Sequence, residues 1–175
     1  MTARHIYVDE TKERGFVLVA SVHLGPDVDS LRKTIRELVL PGQNRIHMTK
    51  ESDGRRKKLM AAICASGVQA TIYDAARRYG EAVARTKCLQ GVIDDIAAGQ
   101  PTLLVLEQDD SIVQHDRRFL YASVRAAGLQ DHVRYEHHRA KSELLLTVPD
   151  AVAWCWARGG SWRELIRSIT TIKEV

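Results

Sequence analysis

The sequence predicts an α/β fold: a mixed sheet, opened by an antiparallel hairpin and continued by parallel strands, with helices on both faces. Three observations predict it. Two apolar, β-branched runs at the start of the chain are joined by the polar stretch 10–14, too short for the crossover that parallel strands need. Helical and strand-like periods then alternate at short spacing. The run 102–106 is apolar without interruption, the mark of a strand covered on both faces and central in its sheet.

Residues 4–9 read as the first strand, with Ile6 and Val8 on one face, and Gly15 closes the turn into a second strand over 16–24. Pro26 and Asp27 open a helix whose buried stripe is Leu31, Ile35, Leu38 and Val39, and Pro41-Gly42 stops it. Residues 45–48 suggest a short strand. Asp53 caps a helix running to Ala65, which Ser66-Gly67 ends. A strand over 68–73 leads to a long helix over 79–98, with Val83, Cys88, Val92 and Ile96 on one side. After the central strand come a helix over 111–127, a short edge strand over 133–136, a helix from Thr147 or Val148 to Gly159-Gly160, and a terminal helix over 162–169. Pro149 suits a first turn, where its missing N–H is least costly.

With 175 residues, 45% hydrophobic and 27% charged, the chain is expected to form one domain over 1–175 with a sizeable core. No apolar run approaches the roughly 18 residues of a membrane helix, and the start of the chain has no leader pattern, so a cytoplasmic protein with no membrane partner is expected. Cys64, Cys88 and Cys155 are odd in number and show no CxxC spacing, which argues against a disulfide framework or a zinc knuckle and for small buried hydrophobes. GxGxxG, GxxxxGK[ST] and GxSxG are all absent, which removes the dinucleotide-binding, P-loop and hydrolase-elbow readings. A net charge of +4 permits a polyanionic partner without requiring one.

Carboxylates stand where elements begin or end. Asp9 follows Ile6-Tyr7-Val8, with Glu10 beside it. Glu107 follows the buried strand, with Asp109 and Asp110 just beyond, and Asp150 lies in the first turn of the last main helix. Acids at the carboxyl edge of an open α/β sheet lie where such sheets bind ligands. If the strands of Asp9 and Glu107 are neighbours, their carboxylates converge and repel unless a cation neutralises them. Mg²⁺ or Mn²⁺ suits an all-oxygen donor set, and two such ions about 4 Å apart activate water and stabilise the leaving oxygen of a phosphodiester. The alternative is that these acids begin turns and cap helices, as Gln108-Asp109-Asp110 would before the helix at Ser111.

At these residues a family likeness enters. Ile6-Tyr7-Val8-Asp9-Glu10-Thr11 resembles the strand-ending Asp-Glu-Ser signature that opens members of the domain-of-unknown-function 3800 family. Arg45-Ile46-His47-Met48 resembles that family's histidine-bearing segment after the first helix. Ser142 with residues 144–153 resembles its closing leucine-alanine-aspartate helix, with Val148-Pro149 standing where the leucine-alanine pair is usual. The spacing covers nearly the whole chain. The family is ribonuclease H-like and related to integrases and Holliday-junction resolvases. The resemblance implies a metal-dependent nuclease acting on nucleic acid, with catalytic and metal-binding carboxylates at Asp9, at Glu107 or Asp109, and at Asp150.

Basic and aromatic residues complete the candidate set. Lys50, Arg55 and Arg56 are candidates to hold substrate phosphate, the alternative for the run 55–58 being a solvated helix face. Glu10, His47, His138 and Lys141 are accessory candidates, a histidine or lysine there steadying a phosphate or moving a proton. Trp154, Trp156 and Trp162 are expected to pack on the last helix or to form a homodimer contact, with base stacking as the alternative. Two rivals to the nuclease reading remain: a catalytically silent nucleic-acid-binding module and a protein-interaction module on the same fold.

Overall fold

The computed structural model describes residues 2–175. Strand β1 (Arg4–Thr11) and strand β2 (Phe16–Leu24) pair antiparallel in register from Arg4–Leu24 to Thr11–Val17. Gly15, at φ 103°, closes the turn between them. A Cβ there would meet the Ala76 carbonyl oxygen at 2.5 Å, so only glycine lets the turn press on the neighbouring backbone.

Helix α1 (Gly25–Leu38) buries Val28, Leu31 and Ile35, and α2 (Asp53–Ala65) buries Leu59, Met60 and Ile63. Strand β3 (Gln69–Ala76) joins β2 antiparallel. Helix α3 (Glu81–Asp94) crosses over to β4 (Thr102–Glu107), and α4 (Val113–Ala126) crosses over to β5 (Val133–His138). Both strands run parallel, β4 beside β1 and β5 beside β4. Helix α5 (Thr147–Arg158) and the short α6 (Ser161–Ile166) lead to β6 (Thr170–Glu174), which is parallel to β3. The strand order is β5-β4-β1-β2-β3-β6.

Alternation along the strands divides the core in two. Tyr7, Val19, Ile72 and Val105 face α1, α2 and α5. Val8, Leu18, Leu104 and Leu106 face α3 and α4. The mixed sheet, the opening hairpin, the doubly covered β4 and the helices on both faces are all as the sequence predicts. No helix among the described residues is long and apolar enough to cross a membrane.

Several local expectations are corrected. Residues 45–48 form no strand. Ile46 and Met48 are buried, which mimics strand alternation, but the segment ends in a 3₁₀ turn, Met48–Lys50. Its backbone is satisfied by side chains instead: Met48 N donates to Asp150, and Arg56 donates to the Met48 and Thr49 carbonyls. Ser52, not Asp53, caps α2 by accepting from Arg55 N at 3.4 Å. Helix α3 is shorter than expected and exposes Val83; its buried face is Ala84, Arg85, Cys88, Leu89, Val92 and Ile93. Leu38, Val39 and Cys64 are only half-buried. Strand β6 escapes sequence reading because Thr170-Thr171-Ile172-Lys173-Glu174 is largely exposed and shows no buried alternation.

His23, near the amino end of the sheet, is 4% exposed, with Nε2 2.9 Å from Ser21 Oγ. Burial, reinforced by His5, depresses its pKa to about 4. The unfolded chain therefore takes up a proton that the folded chain refuses, so this contribution to stability is complete above about pH 6.5 and lost as pH falls toward 4. The linked loss is about 3 kcal/mol. Urea unfolding between pH 7.5 and 4 is expected to show it, with a shallower decline in His23→Gln. Superimposable profiles would refute the assignment.

Candidate active site

Strand register brings two acids to one place. Tyr7 lies opposite Val105 and Val8 opposite Leu106 in the parallel β1–β4 pair. Tyr7 and Val105 both belong to the core layer beneath α5. Two residues further on, Asp9 and Glu107 emerge on that same face at the carboxyl end of the sheet. Helix α5 packs across β1 and carries Asp150 in its first turn, where the helix dipole favours an anion.

Asp9 is almost wholly buried and lies within hydrogen-bonding reach of Asp150. Burial holds the Asp9 carboxyl well above the ordinary carboxylate range, and the charges of Asp150, Glu107 and Glu10 push it further; one hydrogen bond, from Glu10 N at 2.8 Å, works the other way. Burial also raises Asp150. It is opposed by the hydrogen bond from Met48 N at 3.1 Å and by the charges of His47 and Arg45. His47 Nε2 stands 3.7 Å from Asp150 Oδ1, and Arg45 stands 3.8 Å from Glu107 Oε1. The predicted histidine segment therefore does reach the acids, as a turn rather than as a strand. A cleft of about 300 Å³ beside Glu107 is lined by Arg45, Glu107, Arg139 and Lys141, among others.

The other predicted residues divide. His138 lies opposite Glu107 in the β4–β5 register and bonds Glu136 Oε2 at 2.8 Å. Asp109 turns away: its carboxylate accepts from Ser111 N at 2.9 Å and Ser111 Oγ at 2.6 Å, fastening the turn before α4. Those bonds lower its pKa, and of the two middle acids it is Glu107 whose charge reaches Asp9. Arg55 binds Glu51 and the Leu38 carbonyl; Arg56 binds Met48 O and Asp53 and lies 4.3 Å over the Trp154 ring. Both guanidiniums are thus committed to internal contacts that a bound phosphate would have to break. Lys50 is exposed and makes no ion pair among the described residues. The three tryptophans are half-buried on the core, and their stacking partners come from this same chain: Trp154 and Trp162 meet edge to face at 4.9 Å, and Arg163 covers Trp156.

The structure takes one accessory candidate, Glu10, away from the acids and into a group whose other charged members, Arg85 and Asp116, the sequence does not single out. Glu10, one residue after Asp9, points to the opposite face, where Arg85 NH1 holds it at 3.0 Å. The same guanidinium makes two 2.8 Å bonds to Asp116, and His137 Nε2 lies 3.1 Å from Asp116 Oδ2. Arg85 and Asp116 each occupy a position on the apolar face of a helix, Arg85 one turn from Cys88 and Leu89, Asp116 one turn from Val113 and Leu120. A charge in such a stripe was the available signal.

The donors around Asp9 are all carboxylate oxygens, which fits a hard divalent cation in kind. Among the described residues no three His, Cys, Asp or Glu side chains already stand close enough to form a metal cage. Asp9 and Asp150 meet, and Glu107 leans toward Arg45.

Comparison with known proteins bears on the fold. The structure is similar to that of ribonuclease HII from Archaeoglobus fulgidus, solved in complex with PCNA, with a TM-score of 0.57 and 18% identity over 90% of this chain and 73% of that one. The chain therefore has a ribonuclease H-like fold, and at that identity the likeness is one of fold. No family model and no curated protein matches the sequence, so the resemblance to the domain-of-unknown-function 3800 family rests on its motifs alone.

Two outcomes follow from this geometry. The unfolded chain ionises Asp9 before the folded chain does, so Asp9 costs stability above the ordinary carboxylate pKa, increasingly as pH rises through its folded pKa. In the presence of a chelator, Asp9→Asn is expected to melt higher than the parent at pH 7, with the gap closing as pH falls toward 4. A lower melting temperature at pH 7 would contradict the buried-repulsion account. Arg85→Met strands the Asp116 carboxylate and is expected to destabilise by about 3–5 kcal/mol in urea, with Arg85→Met/Asp116→Leu recovering most of it.

Proposed function

We propose that this chain, acting as a single ribonuclease H-like domain, is a nuclease that hydrolyses nucleic-acid phosphodiester bonds using Mg²⁺ or Mn²⁺. The observation that carries the reading is the buried Asp9 carboxyl, held against Asp150 and in the field of Glu107 at the carboxyl end of adjacent parallel strands. Burying like charges together is costly unless a cation compensates them. The fold, shared with a ribonuclease, agrees with the reading.

Asp9, Asp150 and Glu107 would hold the ion, with Glu107 released from Arg45 to complete the donor set. A divalent ion bound there supplies a water made nucleophilic near neutral pH and charge stabilisation for the leaving oxygen. The chain's own residues do the rest. Met48 N and His47 orient the Asp150 carboxylate. Arg45 and Lys141, on the cleft wall beside Glu107, attract and seat the phosphate backbone, joined by Arg139 once it leaves its 2.9 Å ion pair with Asp110; Lys50, exposed and without an ion pair among the described residues, is a further phosphate contact. Arg55 and Arg56 act indirectly, bracing the 3₁₀ turn that supplies Met48 N.

A second reading is favoured by one observation: among the described residues, Asp9, Asp150 and Glu107 do not already stand in a three-residue cage for a metal ion. A catalytically silent nucleic-acid-binding module would bind with strong salt dependence and cut nothing.

The test is cleavage of labelled RNA and DNA oligonucleotides, single- and double-stranded, with Mg²⁺, Mn²⁺ or EDTA. Cleavage is expected with metal only, falling by more than about 100-fold in Asp9→Asn. An unchanged rate in that variant rejects the nuclease assignment, and salt-sensitive binding with no cleavage under either metal selects the silent module.

A further inference from the structure

A groove of about 620 Å³ runs between α4 and the edge strand β5, lined by Arg117, Tyr121, Tyr135, Glu136, His137 and His138. Nothing in the proposed metal chemistry uses it. On α4, Arg117, Tyr121 and Arg125 are spaced by four and form one exposed line along the helix. Tyr121 is 55% exposed, unusual for a large aromatic ring, and the Arg125 guanidinium lies 3.7 Å from its centroid. Neither Arg117 nor Arg125 makes an ion pair among the described residues, whereas Arg55, Arg85 and Arg163 are all engaged internally. The acid on the groove wall, Glu136, is held by His138 at 2.8 Å and faced by Arg134 at 3.7 Å. The His137 ring is turned inward onto Asp116.

The groove adjoins the acid cleft around the edge of the sheet at the end of β5, without sharing a lining residue with it. Its wall ends at His138, which lies opposite Glu107, and the next residues, Arg139 and Lys141, line the cleft beside Glu107. From Tyr135 to His138 the strand advances about 10 Å, which matches about three stacked nucleotides at 3.4 Å each.

We propose that the α4–β5 groove binds a single-stranded segment of nucleic acid, with a base stacked on Tyr121, phosphates against Arg117 and Arg125, and the strand leading past Arg139 toward the acids. For that last step the inference rests on the nuclease reading. An exposed ring flanked by unpaired guanidiniums is the chemistry of base stacking combined with phosphate contact. A partner's β-strand added to β5 is the competing occupant, and the charged Arg134 and Glu136 on that edge blunt it.

The test is fluorescence anisotropy of 5′-labelled 12-nucleotide oligo-dT and oligo-rU with the full chain in EDTA, where no cleavage interferes. The parent is expected to bind, Tyr121→Phe to bind like the parent, and Tyr121→Ala to bind roughly 5- to 150-fold more weakly. Arg117→Ala/Arg125→Ala is expected to lower the slope of log affinity against log salt by about 1.4. Tyr121→Ala within twofold of the parent overturns the proposal. So does a parent that binds neither oligonucleotide, or one that prefers a labelled 12-residue poly-glutamate peptide, which would mark the groove as a protein site. Binding that depends on Tyr121 in a chain that cuts nothing with metal leaves the groove standing and removes the nuclease, so the two failures are separable.

Discussion

The parallel pairing of β1 with β4 is the constraint on which the site depends. Its register sets Val8 beside Leu106. Alternation then brings Asp9 and Glu107 out on the face that α5 covers. A slip of one residue on either strand would send one acid to the opposite face. Asp150 reaches the same point only because α5 packs across β1, and Met48 N reaches Asp150 only because Arg56 fixes the turn that presents it. The acids are thus assembled by an internal scaffold whose members never touch substrate in the proposed chemistry.

Asp9 and Glu10 show how far adjacent carboxylates diverge when a strand separates them. Asp9 is buried among other acids, and its proton is held tightly. Glu10, on the far face, is matched by Arg85, which Asp116 holds by two bonds, with the His137 ring on the other side of Asp116. The far-face network is closed on itself, one guanidinium bonding both carboxylates and the His137 ring reaching the second. The near face gathers carboxylates with a single backbone donor at Asp9, the Arg45 guanidinium beside Glu107 and the His47 ring beside Asp150. That imbalance is what makes the near face, and not the far one, the candidate site.

The basic residues divide along the same line. Arg55 and Arg56 have the look of a phosphate-binding patch in sequence, yet both hold carbonyls and carboxylates of their own chain. Arg117 and Arg125 are left solvent-facing beside an exposed ring. Net charge reveals only that cations are in excess; which of them are available to a polyanion is decided by the partners each guanidinium finds.

The hairpin, the doubly covered β4 and the boundaries of α2 and α5 are legible in the sequence, because apolar periodicity, Gly and Pro act locally. The positions of Glu107 at a strand end and Asp150 in a helix's first turn are legible for the same reason, whereas Asp9 lies two residues inside a strand that runs on to Thr11. Whether residues 45–48 form a strand is not, since buried Ile46 and Met48 alternate in a strand and in the observed turn alike, and the choice was made by Asp150 and Arg56 taking up the backbone groups. Nor is β6, whose exposed residues carry no pattern until β3 offers them an edge. The turning of Asp109 onto Ser111, the pairing of Arg85 with Asp116, and the meeting of Asp9 with Asp150 all join residues through contacts that local patterning does not encode. Local chain chemistry determined which elements form; only the sheet order, its register and the helices laid across it decided which side chains meet.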